Sequence, residues 1–144
     1  MSRSKKWGIR FVIFCVIFLT MKMAFEVWLV PDYRDGKAYV NYSPNREYKA
    51  MYVFPKEPSN HIPLLIVKMV DQSVSAIILL PKDWVSTGLD FIWECDDTKL
   101  PSCTSYRDAP KVSLPPSLWQ RLHAWLTVKL KHLEQPHLKE VHRD

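Results

Sequence analysis

The fold is decided by the stretch Trp7 to Val30, WGIRFVIFCVIFLTMKMAFEVWLV, which is almost entirely apolar. Trp7 and Trp28 are 21 residues apart in the sequence, which is about 31 Å along an α-helix. That length matches the hydrocarbon core of a bilayer, about 30 Å thick, and tryptophan favours both headgroup interfaces. Residues 7–30 are therefore predicted to form a transmembrane helix.

The few charged residues of this stretch lie near its ends. Arg10 and Lys22 are within a turn or two of the ends, where long side chains reach water while the helix stays in lipid. Lys22 and Glu26 are spaced i,i+4, so we expect them to pair on one helix face. Trp7, Arg10, Lys22 and Trp28 are thus the predicted membrane-interface residues.

The charge on either side of the helix predicts its orientation. Four basic residues, Arg3, Lys5, Lys6 and Arg10, precede the uninterrupted apolar core, whereas residues 31–36 carry two acids and one arginine. The positive-inside rule then makes residues 1–6 a cytoplasmic flank and exports the chain after Pro31. We expect a single-pass membrane protein whose domain lies outside the cytoplasm.

The alternative is a cleaved signal peptide whose apolar region covers residues 11–20. Signal peptidase needs small residues at its cleavage site, and Lys22 occupies such a position before Met23-Ala24. An uncleaved anchor is therefore the favoured interpretation.

The net charge does not indicate nucleic-acid binding. The chain has a net charge of +5, and subtracting the four basic residues of the N-terminal flank leaves +1 for the rest. A near-neutral domain has no basic stripe to follow a phosphate backbone, so nucleic acid is excluded as a partner.

Two cysteines of the exported part predict a disulfide. Cys95 and Cys103 are eight positions apart and flank a loop rich in Asp, Lys and Pro, whereas Cys15 lies in the middle of the membrane segment. In an oxidising compartment such a pair is expected to bond, which would stabilise the fold by roughly 2–3 kcal/mol. Two unpaired thiols are the alternative, since sequence alone does not fix pairing.

Residues 31–36 are predicted to be a turn-rich linker and residues 37–135 a β-rich domain, followed by a flexible tail at 136–144. Short runs of β-forming residues alternate with Pro, Asp, Asn and Ser at intervals of about ten residues, which is typical of an antiparallel meander. The predicted strands are 37–42, 47–54, 64–70, 75–80, 89–95 and a short edge strand at 106–113.

After Pro115 and Pro116 the apolar period changes from that of a strand to that of a helix. Leucines recur every three or four residues, and two tryptophans widen the pattern, which predicts an amphipathic helix of about 16 residues ending before Pro136. The leucine face is formed by Leu118, Leu122, Leu126, Leu130 and Leu133, with Trp119 and Trp125 beside it. We expect this face to cover the sheet, with an interfacial position on the membrane as the alternative. The predicted fold class is therefore α+β: an N-terminal transmembrane helix, then an antiparallel β-meander of about five to six strands packed with one C-terminal amphipathic helix.

The sequence offers no recognisable catalytic machinery. It lacks GxSxG, HExxH, P-loop and GxGxxG motifs and contains three glycines in all. Asp96-Asp97 are adjacent loop carboxylates, and the late histidines at 132, 137 and 142 do not share one helix face. We therefore predict a protein that is not an enzyme and that has no metal site and no cofactor.

Three segments carry a resemblance to a known group of proteins. These segments are Ser43-Pro44-Asn45-Arg46-Glu47-Tyr48, Phe91-Ile92-Trp93-Glu94-Cys95 with Cys103, and Leu114-Pro115-Pro116-Ser117-Leu118-Trp119-Gln120-Arg121-Leu122. Together they resemble an uncharacterised family of short, membrane-anchored proteobacterial envelope proteins whose tails read LPPSWWQRL. The resemblance covers residues 38–126 and implies no catalytic residues. It implies a protein of the bacterial inner membrane with a periplasmic domain, and a gene context among secretion-system and toxin–immunity clusters.

Two kinds of function fit these features. The first is a membrane-tethered periplasmic protein-binding domain, such as an immunity protein that blocks a secreted toxin. The second is a structural accessory of an envelope or secretion-system complex. Aromatic anchors and acids favour a binding surface, and the candidates are Tyr33, Tyr39, Trp84, Asp96, Asp97 and Tyr106. Packing within strands is the alternative role for these aromatic residues.

Overall fold

The computed structural model describes residues 3–83, 93–95, 103–105, 114–133 and 139–141. Helix α1, Arg3–Leu29, opens the chain and contains the predicted membrane segment. Its part from Lys6 to Leu29 has a mean hydropathy of 2.0 and is long and apolar enough to cross a membrane. Most of its apolar side chains are exposed, as they would be in a helix surrounded by lipid.

Four antiparallel strands follow α1 and form a meander. They are β1, Lys37–Tyr42; β2, Tyr48–Phe54; β3, His61–Lys68; and β4, Val74–Pro81. A fifth strand, β7, Lys139–Val141, pairs with β1 in the parallel direction, so the sheet order is β4-β3-β2-β1-β7. The segment 136–144, which was expected to be a flexible tail, therefore contributes an edge strand to the sheet.

The prediction of five to six meander strands was too high, because the antiparallel meander of the described residues contains four strands. The predicted strand at 89–95 is described only at β5, Trp93–Cys95, which pairs with β6, Cys103–Ser105, in a separate two-stranded sheet. The predicted edge strand at 106–113 lies outside the described residues. Residues 93–95 and 103–105 therefore pair with each other and are not part of the meander.

Register and side-chain alternation place apolar residues on both faces of the sheet. On one face Met51 lies opposite Leu65, and Leu65 lies opposite Ile77; on the other face Ala50 lies opposite Ile66. The first set belongs to a core cluster with Ala124, and the second belongs to another cluster. The central strand β3 is buried at six consecutive positions, as expected for a strand covered on both faces.

The turn between β1 and β2 is held by side chains. The Ser43 hydroxyl donates to Asn45 Oδ1 at 2.7 Å and accepts the Tyr48 N–H at 3.1 Å, while the Arg46 N–H donates to the Ser43 carbonyl at 2.8 Å. Arg46 has φ of 56°, a left-handed conformation that costs little in Gly or Asn and more in a long side chain. Residues 43–46 lie between the predicted strands 37–42 and 47–54, and Ser43, Pro44 and Asn45 are residue types that favour turns.

Residues 31–36, the predicted linker, pack tightly against the sheet. Tyr33 has no exposed surface and joins the core cluster that contains Val30 and Val53. The Gly36 N–H donates to the Tyr33 carbonyl at 3.1 Å. This turn leads from α1 directly into β1, so the sheet is fixed to the end of the helix.

Helix α2, Leu118–Leu130, closes the described core. Its first residue follows a capping box, in which the Ser117 hydroxyl accepts the Gln120 N–H at 3.2 Å and the Gln120 side chain accepts the Ser117 N–H at 2.9 Å. This arrangement satisfies two of the otherwise unpaired donors at the helix start. The Leu114–Pro115 peptide before it is cis. The structure confirms the α+β class, with an N-terminal apolar helix, an antiparallel sheet and a C-terminal helix.

Replacing Gly36 tests how closely the turn at residues 31–36 approaches the sheet. A Cβ at position 36 would lie 2.6 Å from the Phe54 carbonyl oxygen and 2.7 Å from Val53 Cγ1, and a backbone oxygen within a sheet has little freedom to move. We expect Gly36→Ala to lower the free energy of unfolding by about 1–3 kcal/mol, as overpacking usually does. Denaturant unfolding of the full chain in detergent micelles measures this.

Gly8→Ala is the matched control, because nothing lies within 4 Å of a Cβ at position 8. We expect that variant to be at least as stable as the wild type, because alanine is favoured over glycine within a helix by about 0.5–1 kcal/mol. Equal stability of the two variants would show that residues 31–36 do not pack against β2.

Candidate membrane-facing site

Helix α2 turns its large apolar side chains away from the sheet. The residues buried in α2 are His123, Ala124 and Thr127, and Ala124 joins the core cluster on the sheet. The Thr127 hydroxyl donates to the His123 carbonyl at 2.8 Å, so this buried hydroxyl is satisfied within the helix. The side of α2 that contacts the sheet is therefore made of small and polar side chains.

The opposite side, which we call the outer face of α2, is exposed and apolar. Leu118 is 75% exposed, Leu130 67% and Trp125 56%. The outer face consists of Leu118, Trp119, Leu122, Trp125 and Leu130. The helix does contact the sheet, at β4, as expected, but not through its whole leucine face: Leu118, Leu122 and Leu130 are exposed, Leu126 is half-buried, and Leu133 is 1% exposed and lies in the core.

An apolar groove separates the outer face of α2 from α1. Its volume is about 390 Å³, within the usual range for ligand pockets. Its lining comes from two helices only: Val16, Leu19, Thr20, Met23, Ala24 and Val27 of α1, and Trp119, Leu122, Leu126 and Leu130 of α2. The one hydroxyl in this lining, that of Thr20, donates to the carbonyls of Val16 and Ile17 in its own helix. Apart from the indole N–H of Trp119, the groove therefore presents hydrocarbon.

Lys131, just after α2, joins the two helices. Its ammonium group donates to the Trp28 carbonyl at 3.0 Å and also to the Val30 carbonyl. The last carbonyls of a helix have no partners within the helix, so a cation placed there completes their hydrogen bonding and complements the helix dipole. Lys131 thus ties the end of α2 to the end of α1.

The charges around this junction act in opposite directions. Burial lowers the pKa of Lys131, and the charge of Asp32 partly offsets that effect. The hydrogen bond from the Arg34 side chain, at 3.0 Å from Nε to Oδ1, holds the pKa of Asp32 below its usual value. Asp32 therefore stays ionised in acid conditions that protonate ordinary carboxylates, which favours the ammonium form of Lys131.

The predicted membrane-interface residues lie on the surface of α1. Trp7 and Trp28 are each 72% exposed, and Arg10 is exposed as well. Lys22 Nζ lies 3.7 Å from Glu26 Oε1, as their spacing predicted. The Phe25 and Trp28 rings stack with centroids 6.2 Å apart, so the C-terminal end of the helix carries an aromatic pair.

The predicted partner-binding residues do not form one surface in the described chain. Tyr33 is a correction, because it is completely buried and offers nothing to a partner; burial also raises the pKa of its phenol. Tyr39 is 38% exposed and meets the Phe54 ring edge to face at 5.5 Å. Trp84, Asp96, Asp97 and Tyr106 lie outside the residues whose side chains are described.

Sequence reasoning missed two features of this site. The first is the outward orientation of the leucine face, since an exposed apolar face was given only as the alternative; its signal in the sequence is the tryptophan and basic content of the helix. The second is the role of Lys131, which no local pattern indicates because its partners lie about 100 residues earlier in the chain. Within the described ranges, no group of three or more His, Cys, Asp or Glu residues could hold a metal ion.

Comparisons of the chain with protein-family models, with curated proteins and with solved structures found no match. The resemblance to short membrane-anchored envelope proteins therefore stays a prediction.

Replacing Lys131 tests its bridging role. We expect Lys131→Met to lower the free energy of unfolding by about 1–2 kcal/mol. A buried hydrogen bond to a charged group contributes slightly more than that to stability. Thermal unfolding of the detergent-solubilised full chain measures the change.

Two further variants separate the bridge from charge in general. Lys131→Arg keeps a cation and donors and should recover at least half of the loss. Arg121→Met removes an exposed cation from the same helix and should leave stability unchanged. If Arg121→Met and Lys131→Met were equally destabilising, the bridge to α1 would not be the cause.

Proposed function

We propose that this protein is a single-pass, membrane-tethered protein-binding domain of the bacterial envelope, with its N-terminus in the cytoplasm and its sheet in the periplasm. The observation that carries the proposal is the junction after α1. Val30 and Tyr33 are fully buried in the core of the sheet domain, and Lys131 binds the last carbonyls of the helix. The domain is therefore held at one position relative to its anchor, as a binding module facing a partner at the membrane requires.

An immunity protein against a secreted toxin is the specific form of this proposal. A small anchored domain whose sequence carries no catalytic motif can protect by occupying the toxin, and it does so best when fixed where the toxin arrives. The sheet offers a point for such a contact at β1, where Tyr39 is 38% exposed; Tyr42 is 40% exposed but projects from the opposite face of the strand. Exposed tyrosines are frequent anchors of protein interfaces.

A structural accessory of an envelope or secretion-system complex is the second candidate. The observation in its favour is the packing of α1 on the domain: Met23 and Val27 are 7% and 6% exposed, so the helix does more than retain the domain. Replacing residues 3–20 of α1 with an unrelated apolar helix separates the two ideas. A binding module should keep working with such an anchor, whereas assembly through the helix would be lost.

Photo-crosslinking in cells tests the binding surface. A photoreactive phenylalanine analogue at position 39 should give a defined protein adduct, because this side chain is exposed on β1. The control position is Val70, which is 87% exposed in the β3–β4 turn at a distance along the sheet. A binding surface at β1 would be contradicted by identical adducts from both positions. It would also be contradicted by the absence of an adduct from position 39 in cells that express the genes next to the one for this protein.

Topology and the disulfide are tested together. The register places Cys95 directly opposite Cys103, and opposed residues of an antiparallel pair have Cα atoms about 4.5–5.5 Å apart, within the range that a disulfide spans. We expect a reporter fused after Asp144 to be active in the periplasm, and the two thiols to react with maleimide only after reduction. An inactive reporter with freely reactive thiols would overturn both the orientation and the disulfide.

A further inference from the structure

We propose that the outer face of α2 is a second membrane-contacting surface, and that the groove between α1 and α2 is filled by acyl chains of the surrounding phospholipids. This inference rests on the proposed membrane anchoring of α1. It goes beyond it by placing part of the exported domain in the lipid rather than above it.

The first argument is the unusual polarity of α2. A helix that only covers a sheet buries its large apolar side chains and exposes polar ones. Here the buried side contains Ala124, His123 and Thr127, while five leucine and tryptophan side chains of the outer face are 40–75% exposed. An exposed apolar surface of this kind marks a contact with another apolar phase.

The second argument is continuity with α1. The groove is lined by residues 16–27 of α1, which belong to the segment that is long and apolar enough to cross a membrane. Lipid that surrounds this part of α1 would also meet Trp119, Leu122, Leu126 and Leu130, because they form the opposite wall. The same hydrocarbon therefore covers both walls without any further partner.

The third argument is the character of the residues around the outer face. Helix α2 contains two basic residues, Arg121 and Lys129, and no acidic residue, and both basic residues are exposed. Basic side chains beside an apolar face favour a surface of anionic phospholipid. Trp125, which is outside the groove lining, is a side chain that prefers the headgroup region.

A second copy of this chain, or another protein, is the competing occupant of the groove. Such a partner would have to displace lipid from a groove that is almost entirely hydrocarbon, because the Thr20 hydroxyl is bonded within α1 and the indole N–H of Trp119 is the one other polar group in the lining. Association between helices in lipid relies on small residues or polar contacts, whereas large side chains dominate the α2 wall. The arrangement therefore favours lipid.

Photoreactive lipid tests the proposal directly. The full chain is reconstituted into vesicles of phosphatidylglycerol and phosphatidylcholine that contain a phosphatidylcholine with a diazirine in its acyl chain, and adducts are mapped by mass spectrometry after illumination. We expect adducts on α1 and on the outer face of α2, at Leu122 and its neighbours, and none at Ala124 or Thr127.

Substitutions define what each result means. Leu122→Asp should reduce the adduct yield on α2 by about tenfold, because a carboxylate is costly to place in hydrocarbon. Val70→Asp introduces the same charge at an exposed apolar residue of the β3–β4 turn and should leave the α2 adducts unchanged. Far-UV circular dichroism confirms that both variants keep their fold, and Leu122→Met provides an apolar variant of similar volume that should react like the wild type.

Three results would overturn the proposal: adducts confined to α1, α2 adducts that are insensitive to Leu122→Asp, or protein–protein crosslinks from the outer face in place of lipid adducts. The lipid test is independent of the crosslink at position 39. Loss of the crosslink alone would end the proposed binding surface on β1, whereas loss of the α2 lipid adducts alone would end this inference.

Discussion

The architecture depends on how helix α1 is joined to the sheet. Val30 and Tyr33 follow the last turn of α1 and are completely buried in the cluster that also contains strand residues and Ala124 of α2. The Lys131 ammonium then binds the carbonyls at the end of α1, which would otherwise lack partners. Because apolar burial and charge-assisted hydrogen bonds act on the same few residues, α1, the sheet and α2 form one packed unit. The position of the groove, and of everything that faces it, follows from this junction.

Much of the framework was predictable because its signals are local. The apolar length and paired tryptophans identify α1, turn residues separate the first four strands, and the change of period after Pro116 identifies α2. Strand limits were less accurate: β3 begins at His61 rather than at residue 64, because Pro63 is a poor strand residue by sequence and the tertiary pairing of β3 with β4 overrides it. The tail strand β7 was missed since three residues carry no pattern of their own and depend on pairing with distant β1.

The candidate site was harder to predict, for a physical reason. Periodicity shows that α2 has an apolar face, but it does not say which apolar phase covers that face, because lipid and a protein core select the same leucines. Tyr33 shows the same ambiguity. An aromatic residue in a turn-rich segment can be exposed and contact a partner, or it can be buried in the core, and which of the two occurs depends on how closely the turn packs on the sheet. Lys131 acts through carbonyls about 100 residues away, and only the fold brings them together. The sequence could propose such residues but not assign their surroundings.

The two sides of α2 have different surroundings: one side contacts the sheet, and the other is exposed and apolar. The side toward the sheet is small enough for close approach, with Ala124 fully buried and Thr127 bonded to its own helix. The large apolar side chains of the outer face are exposed. Fully burying one such side chain is favourable by roughly 1.5–3 kcal/mol relative to leaving it in water. A molecule that binds this face in the folded state, and does not bind the unfolded chain, stabilises the folded state through mass action. If lipid is what covers it, the bilayer contributes to the folding free energy of the domain that follows α1. The domain would then be most stable where its anchor places it, and release from the membrane would weaken α2 before it weakens the central strands, which are covered on both faces by protein.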